Sequence, residues 1–355
     1  MESLRTCDVL VVGAGPAGCS AGLSVKARGL DVVICERKAV VGVPVRCAEH
    51  IPVLLKSETC VEPTAVIQTV RAMKTILPDG RVIENKAPGY MIRRDLFDQG
   101  LARQCRENGV QIITDARVLG VDNECVIISL GGKTLRIKAK VIIGADGPRS
   151  TVGRWMNSVN KDLIPAVQAR VPLVASMDFT EVYFLKEIVG GYGWLFPKGG
   201  DANAGLGMIK GGDGRSLYKA LRDFLSFLEG LKKIDMKTKG CMAGWIPVRP
   251  LQRTVSGNML LVGDAAGQTH PITGAGVPQA VICGKMAGEW AARAAAEDNI
   301  EILYGYEEEW KDLFLESLER GVQRRKIMEE RWDCLDRILP FCWVGFKEYY
   351  GRLHE

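Results

Sequence analysis

The clearest pattern in the chain is a continuous apolar run at residues 9–12, followed by closely spaced glycines, a small-residue helical stretch and a second apolar run at 32–35. Runs of β-branched residues without polar alternation are typical of parallel strands that are buried on both faces. The pattern therefore predicts a strand–helix–strand unit over residues 6–36. Similar runs at residues 141–143 and 259–262 predict two further strands of the same kind.

Between residues 160 and 250 the pattern changes to short alternating strands separated by glycines, which predicts an antiparallel sheet. A helix at about 215–230 interrupts this sheet, and residues 64–86 predict a strand pair around the turn Pro78-Asp79-Gly80. Residues 37–60 are expected to be irregular. The other predicted strands are 110–119, 124–130 and 135–139, and the other predicted helices are 93–108, 275–297 and 301–332.

The order of these elements predicts an α/β fold with a Rossmann-like nucleotide-binding domain and an antiparallel-sheet domain inserted within it. We expect the nucleotide-binding domain to be discontinuous, comprising residues 1–155 and 250–300. The sheet domain, where substrate would bind, is expected to comprise residues 60–90 and 156–249. Residues 301–355 are expected to form a helical C-terminal cap.

The composition excludes several classes of function and leaves the predicted fold unchanged. The chain has 355 residues, 47% of them hydrophobic, and a net charge of +5 without a dense run of Lys and Arg, so no nucleic-acid partner is expected. Its eleven cysteines include no Cys-x-x-Cys pair, which argues against disulfides and metal sites. We find no signal-peptide pattern and no membrane-spanning run, and therefore expect a cytoplasmic protein.

The sequence Gly-Ala-Gly-Pro-Ala-Gly, which begins at Gly13 and includes Ala17, matches a nucleotide-binding fingerprint between a strand and a helix. Gly13 allows a tight turn, Gly15 lets the backbone approach a pyrophosphate, and Gly18 lets the helix pack close to the sheet. The helix N-terminus offers free N–H groups to the phosphates. Glu36 ends the second strand, where a carboxylate can accept hydrogen bonds from a ribose. These residues predict a dinucleotide site.

Two downstream segments indicate which dinucleotide binds. Each is an apolar strand that runs into a Gly-Asp turn, one containing Asp146 and Gly147 and the other containing Asp264. The second carboxylate can bond the ribityl hydroxyls of a flavin, and the helix after it can direct its positive N-terminal end at the flavin pyrimidine carbonyl. The order and spacing of the three elements predict FAD. The helix residues expected to contact it are Gly274, Gly276 and Val277.

These elements resemble the FAD-dependent oxidoreductases of the para-hydroxybenzoate hydroxylase type over nearly the whole chain. The segment Ile92-Arg-Arg-Asp-Leu-Phe-Asp98 belongs to the resemblance, which implies an arginine near the flavin. Arg94 is the candidate and Arg93 the alternative. The alternative for either residue is a solvated charge at the start of a helix.

Two further segments resemble the geranylgeranyl reductase family. The first is Tyr192-x-Trp194-x-Phe196-Pro with the following Gly205-x-Gly207. On a strand the three aromatic side chains would face one side, where they could form a wall for a polyprenyl chain, and the glycines would let the chain pass close to the backbone. Periodicity alone would favour an ordinary aromatic core strand, and the resemblance reverses this preference.

The second segment, Pro44-Val-Arg-Cys-Ala-Glu49, departs from the family pattern because Ala48 stands where the family has glycine. The resemblance implies a cysteine close to the isoalloxazine ring, with Arg46 and Ala48 beside it. Cys47 is the candidate proton donor, and Tyr192 and Trp194 are the other candidate catalytic residues. A packed core cysteine is the alternative.

The resemblance implies hydride transfer from reduced FAD to double bonds of geranylgeranyl or other prenyl chains on a lipid or a quinone. The external reductant would be NAD(P)H or a ferredoxin. An aromatic hydroxylase or a halogenase of the same fold is an alternative, although a halogenase is expected to have a second Trp where this chain has Phe196. A third alternative is an electron-transfer flavoprotein.

Three histidines and the C-terminal tail complete the candidates. His50 and His270 lie near the cofactor segments and His354 lies in the tail; His270 is interpreted as a loop residue rather than a proton relay. The aromatic residues of 332–350 follow a basic stretch at 320–326. They predict either a helical cap or a peripheral contact with the inner face of a membrane, and Pro340 and Gly345 favour the cap.

Overall fold

The computed structural model describes residues 3–209 and 216–351. Within these ranges the strands form two eight-stranded sheets. The strands are β1 (Ser3–Val12), β2 (Val32–Cys35), β3 (His50–Pro52), β4 (Val66–Ile76), β5 (Val82–Ile92), β6 (Gln111–Ile113), β7 (Ala116–Asp122), β8 (Cys125–Leu130), β9 (Lys133–Gly144), β10 (Leu163–Pro172), β11 (Phe179–Tyr183), β12 (Tyr192–Lys198), β13 (Asp201–Gly207), β14 (Cys241–Pro247), β15 (Val255–Ser256) and β16 (Met259–Leu261). The α-helices are α1 (Pro16–Ala27), α2 (Leu55–Glu58), α3 (Arg94–Glu107), α4 (Thr151–Trp155), α5 (Leu217–Gly230), α6 (Val277–Ala296), α7 (Tyr304–Glu330) and α8 (Leu335–Cys342).

The first sheet has the strand order β15-β16-β9-β1-β2-β6, with β8 and β7 attached beside β9. Strands β16, β9, β1 and β2 run parallel, so their carboxyl ends meet at one edge. Buried side chains such as Val9, Val11 and Val141 pack this sheet against α1 and α6. The edge brings together the turns that contain Gly13, Asp146 and Asp264, although they lie far apart in the sequence.

The second sheet has the order β14-β10-β13-β12-β11-β4-β5-β3. It is antiparallel as expected except at one pair, because β11 runs parallel to β4, with Phe179 opposite Ala72. These two strands are joined through strands of the first sheet rather than by a hairpin, and such a long connection permits parallel pairing. The sheet is therefore mixed.

The two faces of the second sheet have different partners. Leu195, Leu206 and Val167 point to one face and pack with Phe224 of α5 in one apolar cluster. Side chains in alternate positions, such as Tyr192 and Trp194, point to the opposite face, which packs against the C-terminal region. The predicted site residues of β12 therefore face the interior of the molecule.

Three local predictions were wrong. The strand expected over 110–119 is split into β6 and β7, because Asp115 has φ of +53° and turns the chain from β2 to a new partner, β8. The strands expected at 135–139 and 141–143 are one continuous strand, β9, since both halves pair with β1. The segment 37–60 is not wholly irregular, because it contains β3, which pairs with β5, and the short helix α2.

The C-terminal region packs on the second sheet through an apolar cluster that includes Trp332, Leu339 and Trp343 of the tail and Phe184 beside β11. Trp343 donates a hydrogen bond of 2.9 Å to the hydroxyl of Thr75 in β4. Pro340 lies inside α8 and does not end it. Among the residues that the structure describes, no helix is long and apolar enough to cross a membrane.

Candidate functional site

The fingerprint glycines form a cradle that is open at one point. A Cβ at Gly13 would lie 2.4 Å from the carbonyl oxygen of Ala145, and one at Gly18 would lie 1.9 Å from the carbonyl oxygen of Gly13. A Cβ at Gly15 would meet nothing within 4 Å, and no side chain caps α1, which begins after Gly15. The free N–H groups and the open space above Gly15 fit a pyrophosphate. We call this region the nucleotide end.

Glu36 lies at this nucleotide end with its carboxylate held by backbone groups. One oxygen accepts a 2.9 Å hydrogen bond from the N–H of Ala14 and the other accepts one of 2.9 Å from the N–H of Lys38. Each oxygen has a further lone pair, so the group can still accept from a ribose. Ala17 is placed differently, because it lies on the side of α1 that packs against α6. A Cβ added at Gly263 would lie 3.0 Å from the Cβ of Ala17.

Asp146 follows β9 and is already bonded within its own turn. Its carboxylate accepts from the hydroxyl of Ser150 at 2.5 Å and from the N–H of Thr151 at 2.5 Å, and burial raises its pKa. The side chain therefore holds the start of α4. Gly147 beside it has φ of +84°, and a Cβ there would meet nothing within 4 Å, so the backbone is the accessible part of this turn.

Asp264 lies against the N-terminus of α6. It accepts a 2.8 Å hydrogen bond from the hydroxyl of Thr269, and a Cβ at Gly276 would lie 3.2 Å from its Oδ1 atom. Burial raises the pKa of Asp264, while the positive charge of Arg94 opposes this shift. Helix α6 spans twenty residues from Val277 and has no side-chain cap, so its first N–H groups can serve a flavin carbonyl.

The two candidate arginines have different environments. Arg94 is buried and its Nε atom lies 2.7 Å from the carboxylate of Asp98. Burial lowers its pKa, but the neighbouring Asp98 and Cys47 outweigh burial and raise it overall. Arg93 pairs with Asp95 and its side chain is 51% exposed. Of the two, Arg94 is therefore the one that lies beside Cys47.

The Cys47 loop, residues 46–49, is held by buried polar groups. The sulfur of Cys47 accepts a 3.2 Å hydrogen bond from the N–H of Glu49. The Glu49 carboxylate is 2% exposed; it is paired with Lys198 and accepts 2.9 Å hydrogen bonds from the backbone of Arg94 and the amide of Asn203. We call this loop with its partners Lys198 and Asn203, together with the N-terminus of α6 and the loop before that helix, the reacting end.

Sequence reasoning missed Lys198 and Asn203 as functional candidates and quoted Glu49 only as part of a motif. A signal was present, because Lys198 and Asn203 are polar residues on strands whose other side chains, apart from Asp201, are aromatic, apolar or small. Alone, each could have been an exposed position. Only the pairing of β12 with β13 shows that both lie over the Cys47 loop.

The aromatic residues of β12 reach a cavity of about 30 Å³ between the second sheet and the loop before α6. The hydroxyl of Tyr192 donates a 2.5 Å hydrogen bond to the carbonyl of Thr273, and burial raises its pKa. Phe196 lies away from the cavity, edge-on to His50 with 6.0 Å between ring centroids. The residues that line the cavity are Ile164, Gly191, Tyr192, Trp194, Gly207, Ile246, Val248, Pro271, Ile272, Thr273, Gly274 and Arg325.

The two glycines of β13 that were expected to leave room for a substrate chain have different surroundings. Gly207 lines the cavity. At Gly205, the space is taken by other side chains, because a Cβ there would lie 2.4 Å from the Cβ of Gln168 and 2.5 Å from Cζ2 of Trp194. Gly205 is small to accommodate its neighbours rather than a ligand.

His270 belongs to the loop before α6, where its Nδ1 atom accepts from the N–H of Thr273 at 3.3 Å. Its Nε2 atom lies 3.1 Å from the hydroxyl of Tyr349 in the C-terminal region. Burial lowers the pKa of His270 to about 4 and that of His50 to about 4. His354 lies outside the described residues. Residues 3–209 and 216–351 contain no cluster of His, Cys, Asp or Glu that could hold a metal.

The chain is similar to known proteins over most of its length. Residues 8–177 match the lycopene cyclase protein family. A digeranylgeranylglycerophospholipid reductase of Methanocaldococcus jannaschii is 34% identical, with 92% of this chain and 88% of the relative covered. A second, named digeranylgeranylglycerophospholipid reductase 2, from Methanococcoides burtonii, is 36% identical over 86% of this chain and 80% of the relative.

Solved structures agree with these relatives. A geranylgeranyl bacteriochlorophyll reductase-like protein from Thermoplasma acidophilum superposes with a TM-score of 0.88 at 26% identity, covering 98% of this chain and 94% of that one. A flavin-dependent brominase shares the fold, with a TM-score of 0.71 at 18% identity and 96% of each chain covered. The predicted fold class and family are confirmed: the chain belongs to the family of digeranylgeranylglycerophospholipid reductases.

Proposed function

We propose that this protein binds FAD and uses it to saturate carbon–carbon double bonds in geranylgeranyl or other prenyl chains on a lipid. The names of the relatives support the reaction class. One geometric observation supports the site: a single cavity is lined by Tyr192 and Trp194 on one side and by Gly274, before α6, on the other. The candidate substrate wall and the candidate flavin loop therefore face the same space.

The described residues fit FAD from one end to the other. The open backbone at Gly15 and the N-terminus of α1 would hold the pyrophosphate, and Glu36 would hold the ribose. Asp264 and the N-terminus of α6 would hold the ribityl chain and the pyrimidine side of the ring. When bound and reduced, FAD supplies the hydride that one alkene carbon accepts.

The protein's own residues must position the alkene and exclude water from the site, because an isolated alkene accepts hydride poorly. Tyr192 and Trp194 present apolar ring surface to the cavity, which favours an isoprenoid over a polar substrate. The cavity of about 30 Å³ has room for about one water molecule, so a prenyl chain enters only by displacing wall side chains.

The second alkene carbon needs a proton, and Cys47 is the proposed donor. The Tyr192 hydroxyl already donates its proton to the carbonyl of Thr273, so that proton is committed to a hydrogen bond. The sulfur of Cys47 has two hydrogen-bonding partners, the N–H of Glu49 and the guanidinium of Arg94, and both are donors, so neither contact uses the S–H proton. Arg94, beside the sulfur, would stabilise the thiolate left after proton transfer.

The proposal also requires an electron donor and access to lipid. NAD(P)H or a ferredoxin would reduce the flavin, and anaerobic bleaching of the flavin by each donor in turn would distinguish them. Most aromatic residues of the C-terminal region are buried against the second sheet, so the exposed Phe341 and Tyr350 are the ones that would contact the membrane face that carries the lipid. Flotation with liposomes containing anionic lipid tests this contact; equal recovery with and without residues 332–355 would contradict it.

The reaction is tested with purified, FAD-loaded protein reduced by dithionite under anaerobic conditions and given a digeranylgeranylglycerophospholipid. Mass spectrometry should show a gain of two hydrogens for each reduced bond, and Cys47→Ala should lower the rate while retaining FAD. If Cys47→Ser and Cys47→Ala both keep full turnover, the proton-donor role is wrong. Unchanged lipid with oxygenated aromatic products under air would indicate a hydroxylase. Fast electron exchange with a carrier but no alkene reduction would indicate an electron-transfer flavoprotein.

A further inference from the structure

One rung of the second sheet runs across its strands directly over the Cys47 loop. Trp194 of β12 lies opposite Gly205 of β13, Gly205 lies opposite Gln168 of β10, and Gln168 lies opposite Met242 of β14. Residues opposite one another in antiparallel strands point to the same face. Because Gly205 has no side chain, Trp194 and Gln168 can meet across it.

The two side chains form a hydrogen-bonded path that ends on Cys47. The indole N–H of Trp194 donates to Oε1 of Gln168 at 3.1 Å, and Nε2 of Gln168 donates to the carbonyl oxygen of Cys47 at 2.9 Å. The same Nε2 group lies 3.1 Å from the sulfur of Met242. The indole can only donate and the carbonyl can only accept, so the two partners fix the orientation of the Gln168 amide.

We propose that Gln168 is a positioning residue, which fixes the peptide of Cys47 and makes the position of its thiol depend on Trp194. Its catalytic consequence rests on the proposed function, whereas its effect on the thiol does not. Gln168 and Trp194 are 4% and 7% exposed, so water does not readily replace either partner. Trp194 would then act both as part of the aromatic wall and, through its N–H group, on the Cys47 loop.

The neighbouring rung shows that the sheet holds this loop at more than one point. Asn203 donates to the carbonyl of Ala48 at 3.1 Å as well as to Glu49. Gln168 differs from Asn203 because it bonds the carbonyl of Cys47 itself. Loss of Gln168 should therefore loosen the cysteine while Asn203 and Lys198 still hold the rest of the loop.

The test measures alkylation of Cys47 by iodoacetamide in the full-length apoprotein, with peptide mass spectrometry to resolve each cysteine. Gln168→Met removes both hydrogen bonds at similar side-chain length and should raise the Cys47 rate roughly tenfold, since opening of the loop becomes easier by one buried hydrogen bond. Trp194→Phe should raise the rate by a smaller factor of about three. Exposed Cys60 is the internal reference, and its rate should stay unchanged.

The double variant separates positioning from general loosening. If Trp194 acts through Gln168, then Gln168→Met with Trp194→Phe should match Gln168→Met alone, whereas independent effects would multiply. Trp290→Phe is the matched control, because Trp290 lies in the C-terminal half of α6 and its indole N–H bonds Glu309 of α7 rather than the Cys47 loop, so Cys47 should keep the wild-type rate. Should Gln168→Met fail to fold by circular dichroism, Trp194→Phe decides alone.

An unchanged Cys47 rate in the folded variants, or multiplying effects in the double variant, would overturn the inference. With a prenyl lipid and reduced FAD, Gln168→Met should lower kcat about tenfold with KM nearly unchanged. If the wild-type protein reduces no prenyl lipid but the alkylation pattern is as expected, the proposed function fails and the positioning role stands. If the wild-type protein reduces the lipid but the variants do not change Cys47 alkylation, the positioning role fails and the proposed function stands.

Discussion

The nucleotide end and the reacting end of the candidate cofactor site are built by different means. The nucleotide end presents main chain, and Gly13, Gly15 and Gly18 keep side chains out of the way. The reacting end presents buried charged groups, with Glu49 and Lys198 only 2% and 7% exposed. The first therefore depends on the absence of side chains, while the second depends on pairs of side chains that are costly to leave unpaired.

The largest effect should come from breaking the buried pair at the reacting end. Lys198→Met leaves the Glu49 carboxylate without its cation, and the free energy of unfolding should fall by about 3–5 kcal/mol. Urea denaturation measures this change. Glu49→Gln in the same chain removes the unpaired charge and should restore part of the loss. If the single and double variants are equally unstable, the charge is not the cause.

At the nucleotide end, substitution of Gly18 should mainly lower stability, whereas substitution of Gly15 should mainly weaken FAD binding. Gly18→Ala places a Cβ 1.9 Å from the carbonyl oxygen of Gly13, so the free energy of unfolding of the apoprotein should fall by about 1–3 kcal/mol. Gly15→Ala points its Cβ into open space and should leave unfolding within about 0.5 kcal/mol of wild type while weakening FAD binding. Urea denaturation and a fluorescence titration with FAD measure the two quantities. Normal FAD affinity in Gly15→Ala would remove the proposed pyrophosphate position.

The reacting end should also carry a pH dependence. The pKa of His270 is about 4 in the folded protein against 6.5 unfolded, so its stabilising contribution is present above pH 6.5 and is lost as the pH falls toward 4. Between pH 7 and pH 5 this one group should cost about 2 kcal/mol of unfolding free energy. His270→Gln should flatten the profile by that amount in urea titrations at several pH values. A parallel profile for the variant would show that His270 titrates normally.

The smallest change in unfolding free energy is expected at Arg93, and it distinguishes this residue from the adjacent Arg94. Arg93→Ala breaks an exposed pair with Asp95 and should change the free energy of unfolding by less than about 0.5 kcal/mol, with FAD affinity unchanged. Arg94→Ala leaves the carboxylate of Asp98 buried and unpaired, so it should be the more destabilising of the two. Equal losses in parallel denaturation curves would contradict this assignment.

The nucleotide end and the reacting end also differ in how much of each could be predicted from the sequence. The βαβ unit could be predicted because β1, its glycines, α1 and Glu36 are contiguous, so local pattern carries all the information. The break at Asp115 could not, because a left-handed turn in a strand-like run leaves no hydrophobic signature. Gln168 was missed for another reason: its partners, Trp194 and Cys47, come within reach only through strand register, which the sequence does not display.

The family resemblance implied a cysteine and an arginine near the flavin, beside an aromatic wall, and the structure brings Cys47, Arg94 and Trp194 into one neighbourhood. Their catalytic roles, like the domain boundaries, stay predictions. At Gly205 the residue type alone indicated space for a substrate, whereas the packing shows that Gln168 and Trp194 occupy that space.

The parallel pairing of β11 with β4 has a consequence for the protein during its synthesis. The hairpin of β4 and β5 is complete at residue 92, but its partner β11 begins only at Phe179. At a ribosomal rate of about 5–20 residues per second, the edge of β4 stays open for roughly 5–20 s. An unpaired strand edge is a template for aggregation. The nascent chain should therefore depend on chaperones at this interval more than the finished protein does.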